Sequence, residues 1–211
     1  MRNILGRLYP ILDTGVLRAR GCALETAAAA MLDAGVGILQ IRHKTAWTRD
    51  LFDDAGRVAR LCEQGKALLI IDDRADIAML LGAGLHVGQD DLPPVDARRL
   101  IGPTAVLGYS THNAEQLMAA AAEPVDYLAL GPMFATQSKA NPDPVVGLQR
   151  LSTWRRLTER PLVAIGGITR ANAMEVFEAG ADSVAVIGDV LPEDCSTPKR
   201  MEEWRRTIGR L

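Results

Sequence analysis

Short apolar runs alternate with stretches of helical period along almost the whole chain. LYPIL (8–12) precedes an alanine-rich stretch (24–34). GILQI (37–41) precedes a stretch (48–64) whose Leu51, Phe52, Ala55, Val58, Ala59 and Cys62 fall on one helical face. ALLII (67–71), a short helix (74–81) ended by a glycine-rich turn, and LHV (85–87) follow. The pattern then predicts a helix at 95–101, a strand at 104–108, and a helix at 113–122 opened by the capping residue Asn113. VDYLAL (125–130), a helix (147–158), a strand (161–165), a helix (172–179), a strand (181–187) and a last helix (199–211) complete the series.

Eight apolar strands alternating with helices imply a parallel sheet covered by helices. That number favours a closed α/β barrel of the (β/α)8, or TIM, type, formed by residues 1–211 as a single domain. An open doubly wound sheet is the fallback. In either arrangement the ligand binds in the loops after the strands' C-terminal ends, so chemistry is sought there.

Strand two runs into QIRHK (40–44), where alternation turns Gln40, Arg42 and Lys44 to one side and His43 to the other. An arginine fork beside a lysine point charge suits phosphate oxygens. DDR (72–74) and GQDD (88–91) put carboxylate pairs at the next two loop starts. Singly, each aspartate reads as a helix cap; together they read as hard oxygen ligands for a magnesium–diphosphate complex. GYSTHN (108–113) offers hydroxyls, with His112 given no catalytic role. The long segment 131–144 carries Lys139 and reads as a lid, with Met133 and Phe134 packing part of it down. IGGI (165–168) and the turn at 187–189 place glycines at the seventh and eighth loops, the usual phosphate site of this architecture.

Composition narrows the partners to small molecules. Aromatic residues are only 4% and the formal charge is −2, so neither a base-stacking platform nor a polycationic surface is present for nucleic acid. No apolar run approaches membrane-spanning length, and the N-terminal residues form no signal-peptide core, so a cytoplasmic protein is expected. A homo-oligomer is left open. Cys22, Cys62 and Cys195 lack metal or redox spacing and are expected to be reduced and incidental.

In order, QIRHK, DDR, GQDD, GYSTHN, ATQSK (135–139) and IGGI span nearly the whole chain. This set resembles the thiamine phosphate synthase family, whose barrel carries QLREK-, NDR-, GQED-, GxSTHN-, PTxTK- and IGGI-like segments. The resemblance implies a magnesium-dependent transferase of thiamine biosynthesis that joins an aminopyrimidine diphosphate to a thiazole phosphate, or its carboxylated form, and expels pyrophosphate. It implies that Gln40, Arg42, Lys44, Asp72, Ser110 and Lys139 face the pyrimidine diphosphate, with Arg42, Lys44 and Lys139 serving catalysis. Asp73 and Asp91 would hold Mg2+. Thr136, Ser138, Gly167, Ile187 and Gly188 would hold the thiazole phosphate. Two departures bear on this: Asp72 stands where the family has Asn, and Asp189 adds a carboxylate where a serine-containing turn is expected. A thiazole tautomerase-like relative, marked by loss of the diphosphate grip, and a non-catalytic binder of the thiazole or thiamine phosphate are the alternatives.

Overall fold

The computed structural model describes residues 5–135 and 143–211. Eight parallel strands close into a barrel in sequence order. They are β1 (Leu8–Asp13), β2 (Ile38–Arg42), β3 (Leu68–Asp72), β4 (Gly84–Val87), β5 (Leu107–Thr111), β6 (Tyr127–Leu130), β7 (Leu162–Ile165) and β8 (Ser183–Val186). The helices are α1 (Thr14–Ala19), α2 (Leu24–Asp33), α3 (Arg49–Gly65), α4 (Ala75–Leu81), α5 (Pro94–Ile101), α6 (Ala114–Ala119), α7 (Gly147–Trp154), α8 (Ala173–Glu178) and α9 (Thr197–Ile208). None of the described helices is long and apolar enough to cross a membrane.

The strands are buried on both faces, as a helix-covered parallel sheet requires, and this is why they read as continuous apolar runs. One face packs against the helices. The other fills the barrel with Leu5, Tyr9, Ile11, Ile38, Ile70 and Tyr127 among others. Helix starts follow local chemistry: the Thr48 hydroxyl accepts from Leu51 N–H at α3, and the Asn113 side chain accepts from Gln116 N–H at α6.

Two expectations are corrected. The fifth strand lies at Leu107–Thr111, three residues later than its pattern suggests. Arg98 holds the preceding segment as a loop by donating to the Gly102 and Ala105 carbonyls, and the Asp126 carboxylate takes the Leu107 N–H at 2.7 Å. Cys22 and Cys195 are not incidental thiols: they form a disulfide with Cα atoms 5.7 Å apart, tying the α1–α2 turn to the segment after β8. A separation of 173 residues hides that pairing from any spacing argument. Cys62 is a free thiol, and its burial pushes it up to about 11.

Candidate active site

Period-two alternation decides what enters the mouth of the barrel. On β1 the inward positions are Tyr9, Ile11 and Asp13, and on β2 they are Ile38, Gln40 and Arg42. Register sets Asp13 directly beside Arg42, and the two form an ion pair. The Asp13 carboxylate also caps α1 by accepting from Val16 N–H at 3.0 Å. Arg42 is thus aimed by a buried acid that sequence reasoning missed, although the parity of Tyr9 and Ile11 pointed to it.

A cavity of about 1310 Å3 opens above these residues. Gln40, Arg42, Lys44, Asp72, Asp73 and Asp91 line one side of it. Lys44 Nζ lies 2.7 Å from Asp72 Oδ2 and 2.5 Å from Asp73 Oδ2, while Arg42 Nε lies 3.6 Å from Asp72 Oδ2. Burial pulls the Lys44 ammonium down, but the two carboxylates outweigh it and hold its pKa above the ordinary lysine value. Asp72 is buried, and that desolvation raises its pKa against the opposing pull of Lys44 and Arg42. The residue standing in place of the family's Asn therefore anchors both cations from below.

Asp73 sits in the left-handed region at φ 61°, a conformation rare for a non-glycine residue and recurrent at functional sites. Its N–H donates to the His86 carbonyl at 2.9 Å, which fixes the turn. Asp91 accepts from Gly88 N–H at 2.7 Å. Burial first, and then the neighbouring Asp73 carboxylate, raise the Asp91 pKa, while the Gly88 contact lowers it. Asp73 and Asp91 therefore converge as the reading of DDR and GQDD expects. His43 turns away to Thr14 and Trp47, also as alternation predicts.

The opposite side of the cavity is built from backbone. Gly166 and Gly167 take φ 96° and 67°. A Cβ on Gly167 would stand 2.6 Å from the Ala135 carbonyl oxygen, so only glycine fits. The loop after β6 packs onto this turn through Met133 N–H to Ile165 O and Phe134 N–H to Gly166 O, and Met133 is fully buried. Ile187, Gly188 and Asp189 line the adjoining wall. The Asp189 carboxylate pairs with Arg170 and Arg200 at 2.9 and 3.4 Å, so its charge is met by protein cations. Arg20, unanticipated from sequence, donates to the Gly188 carbonyl at 3.0 Å. Ser110 also lines the cavity. His112 bonds the Gly131 carbonyl at 2.7 Å, a structural tie between the β5 and β6 loops. Thr136, Ser138 and Lys139 lie outside the described residues.

A closed parallel barrel with a cationic and carboxylate wall facing a glycine-turn wall defines an enzyme built for phosphorylated small molecules. A family profile for thiamine monophosphate synthase matches residues 8–190. A thiamine-phosphate synthase of Koribacter versatilis is 50% identical over 190 residues, covering 89% of this chain and 90% of that protein. One from Chloroflexus aurantiacus is 41% identical, covering 89% and 86%. The solved thiamine phosphate pyrophosphorylase from Pyrococcus furiosus superposes with a TM-score of 0.82 at 31% identity, covering 96% of this chain and 95% of its own. The chain belongs to the thiamine monophosphate synthase family.

Proposed function

We propose that this chain joins an aminopyrimidine carrying a methylene diphosphate to a thiazole phosphate, giving thiamine phosphate and pyrophosphate, or to its carboxylated form, giving the same products and carbon dioxide. The observation that supports this most is the division of one cavity between Arg42, Lys44 and three aspartates on one wall and the Gly166–Gly167 and Gly188 turns on the other. Each wall suits one phosphorylated partner, and their juxtaposition holds two reactants for one bond.

The step that fits these residues is dissociative. The bond between the methylene carbon and the diphosphate oxygen breaks, its electron pair leaves with the diphosphate, and the aminopyrimidine ring delocalises the cation that remains. The thiazole nitrogen then supplies the pair for the new carbon–nitrogen bond. No protein nucleophile is required. Arg42 and Lys44, joined by Lys139, offset the charge that gathers on the leaving group. Gln40 and Ser110 orient the pyrimidine, and Asp72 holds Arg42 and Lys44 in place. Thr136 and Ser138, with the backbone at Gly167, Ile187 and Gly188, hold the thiazole phosphate. Exclusion of water from the cavity protects the cation from hydrolysis; most of the segment read as a lid, residues 136–142, lies outside the described residues.

Magnesium fits the donor set. Asp73 and Asp91 are crowded carboxylates, and the raised Asp91 pKa reflects a burial and repulsion that a divalent cation would relieve. Among the described residues no cluster of three or more metal-type side chains occurs, so phosphate oxygens and water would complete the shell. When bound, the ion supplies divalent charge to the leaving diphosphate.

Convergence of Arg42, Lys44, Asp73 and Asp91 favours the synthase over a tautomerase relative, which would have lost this grip. The test is Asp91→Ala: activity should fall far more than stability, with the loss deepest at limiting magnesium. Full activity at limiting magnesium would overturn the metal assignment.

A further inference from the structure

Beneath the cavity floor, five side chains from five strands form one hydrogen-bonded chain. Gln40 Nε2 donates to Tyr9 Oη at 3.0 Å. Tyr9 Oη and Tyr127 Oη are 2.9 Å apart. Tyr127 Oη lies 2.9 Å from His86 Nδ1, and His86 Nε2 lies 2.9 Å from Ser110 Oγ. Gln40, Tyr9, Tyr127 and His86 are all buried. Both ends, Gln40 and Ser110, line the cavity, as do Tyr9 and His86 between them.

Proton counting gives the chain a direction. An amide nitrogen only donates, so Tyr9 accepts from Gln40, and the arrangement in which every proton of the chain finds an acceptor has Tyr9 giving its single proton to Tyr127. Tyr127 then gives its proton to Nδ1 of His86. The imidazole keeps its proton on Nε2 and donates it to Ser110 Oγ, leaving the serine's own hydrogen for the cavity. Burial raises the pKa of both phenols, so each has its proton to give.

The fold protects this chain at a specific point. His86 and Tyr127 flank Gly108 in the strand register and stack with ring centroids 5.6 Å apart. A Cβ on Gly108 would fall 2.3 Å from Tyr127 Oη and 2.5 Å from His86 Nδ1, so the missing side chain leaves room for that hydrogen bond.

We propose that Tyr9, Tyr127 and His86 are positioning residues that form a one-way hydrogen-bond chain, presenting Gln40 to the pyrimidine as an acceptor and Ser110 as a donor. This deepens the synthase reading and rests on it for the identity of the ligand. With the other tautomer the chain runs backwards: Tyr127 accepts from His86, Tyr9 accepts from Tyr127, and Gln40 turns its oxygen inward and its amide hydrogens outward. A ring amino group would then meet a donor. The chain therefore selects an aminopyrimidine over its oxo counterpart, whose exocyclic oxygen accepts.

Two measurements test it. The first is 15N NMR of the imidazoles in the intact protein, with His86 distinguished from His43 and His112 by His86→Asn. The expected state at neutral pH is the Nε2–H tautomer, with a tautomer mixture in Tyr127→Phe. An Nδ1–H tautomer in the unaltered protein overturns the proposal. The second is calorimetric binding of the amino- and oxo-pyrimidine methylene diphosphates. Preference for the amino form should fall by about tenfold in Tyr127→Phe, the order expected when one hydrogen bond is lost or reversed. Should Tyr127→Phe not fold, Tyr9→Phe cuts the same chain one link from Gln40 and should lower the same preference. An unchanged preference in a folded variant overturns the proposal. Absence of thiamine phosphate formation beside an Nε2–H tautomer would remove the synthase reading and leave the chain's direction standing.

Discussion

Gly108→Ala is the sharpest test of how tightly the barrel interior is packed. The new methyl would lie 2.0 Å from Tyr127 Cζ, 2.3 Å from its hydroxyl and 2.5 Å from His86 Nδ1, against about 3.5–4.0 Å for ordinary carbon contact. Relief requires a shift of about 1.5 Å or more in neighbours that cannot easily give. Tyr127 is fully buried, and Gly108 is hydrogen-bonded in register with both β4 and β6, so backbone retreat from one neighbour strains the other ladder. Overpacking typically costs ~1–3 kcal/mol, and this geometry belongs at or above the top of that range. For a chain of this length, about 3 kcal/mol lowers Tm by roughly 6–12 °C. Urea and thermal unfolding read the effect directly. A Tyr127→Leu change added to Gly108→Ala should cost less than the sum of the two, because removing the ring removes the clash. A Gly108→Ala protein with Tm within about 2 °C of the parent would refute the packing argument, as would strict additivity in the double variant.

Three further outcomes are expected. Asp13→Asn keeps an oxygen for the Val16 N–H but leaves Arg42 with only the longer 3.6 Å contact to Asp72; since the Arg42 and Asp13 side chains retain 17% and 11% exposure and Asp72 remains, the cost should be about 2 kcal/mol in urea unfolding, below the ~3–5 of a fully dry pair. Gly167→Ala forces a left-handed φ of 67° on alanine and sets its methyl 2.6 Å from the Ala135 oxygen; the KM for the thiazole phosphate should rise more than that for the pyrimidine diphosphate in steady-state kinetics. Because the folded pKa of Asp91 is raised above its ordinary value of 3.8, its favourable contribution is complete below that pH and is lost as pH climbs through the folded value. Asp91→Asn should therefore gain stability relative to the parent as pH rises above 3.8 in urea titrations without magnesium; a difference independent of pH would contradict this.

The alternation of strands and helices was legible because both faces of each strand are buried, which leaves predominantly apolar runs. The side chains of Gln40, Arg42 and Lys44 were legible by parity, and Asp73 and Asp91 by their place at successive strand ends. What escaped depends on contacts between distant segments. The start of β5 is set by Arg98 and Asp126, which no local pattern around residues 104–108 reveals. Asp13 lies one residue beyond the apolar run read at 8–12, and only the β1–β2 register puts it beside Arg42. The Cys22–Cys195 link and the Tyr9–Tyr127–His86 chain likewise join residues that only barrel closure brings together. Asp189, an apparent liability in a phosphate loop, is answered by Arg170 and Arg200 from α8's approach and α9.

The central claim is tested most directly by incubating the protein with the aminopyrimidine diphosphate and the thiazole phosphate, with and without magnesium, while following pyrophosphate release and thiamine phosphate by mass. The account predicts both products in equal amounts, only when both substrates and magnesium are present. A folded protein that binds the thiazole phosphate yet releases no pyrophosphate, or that only isomerises the thiazole, would contradict it.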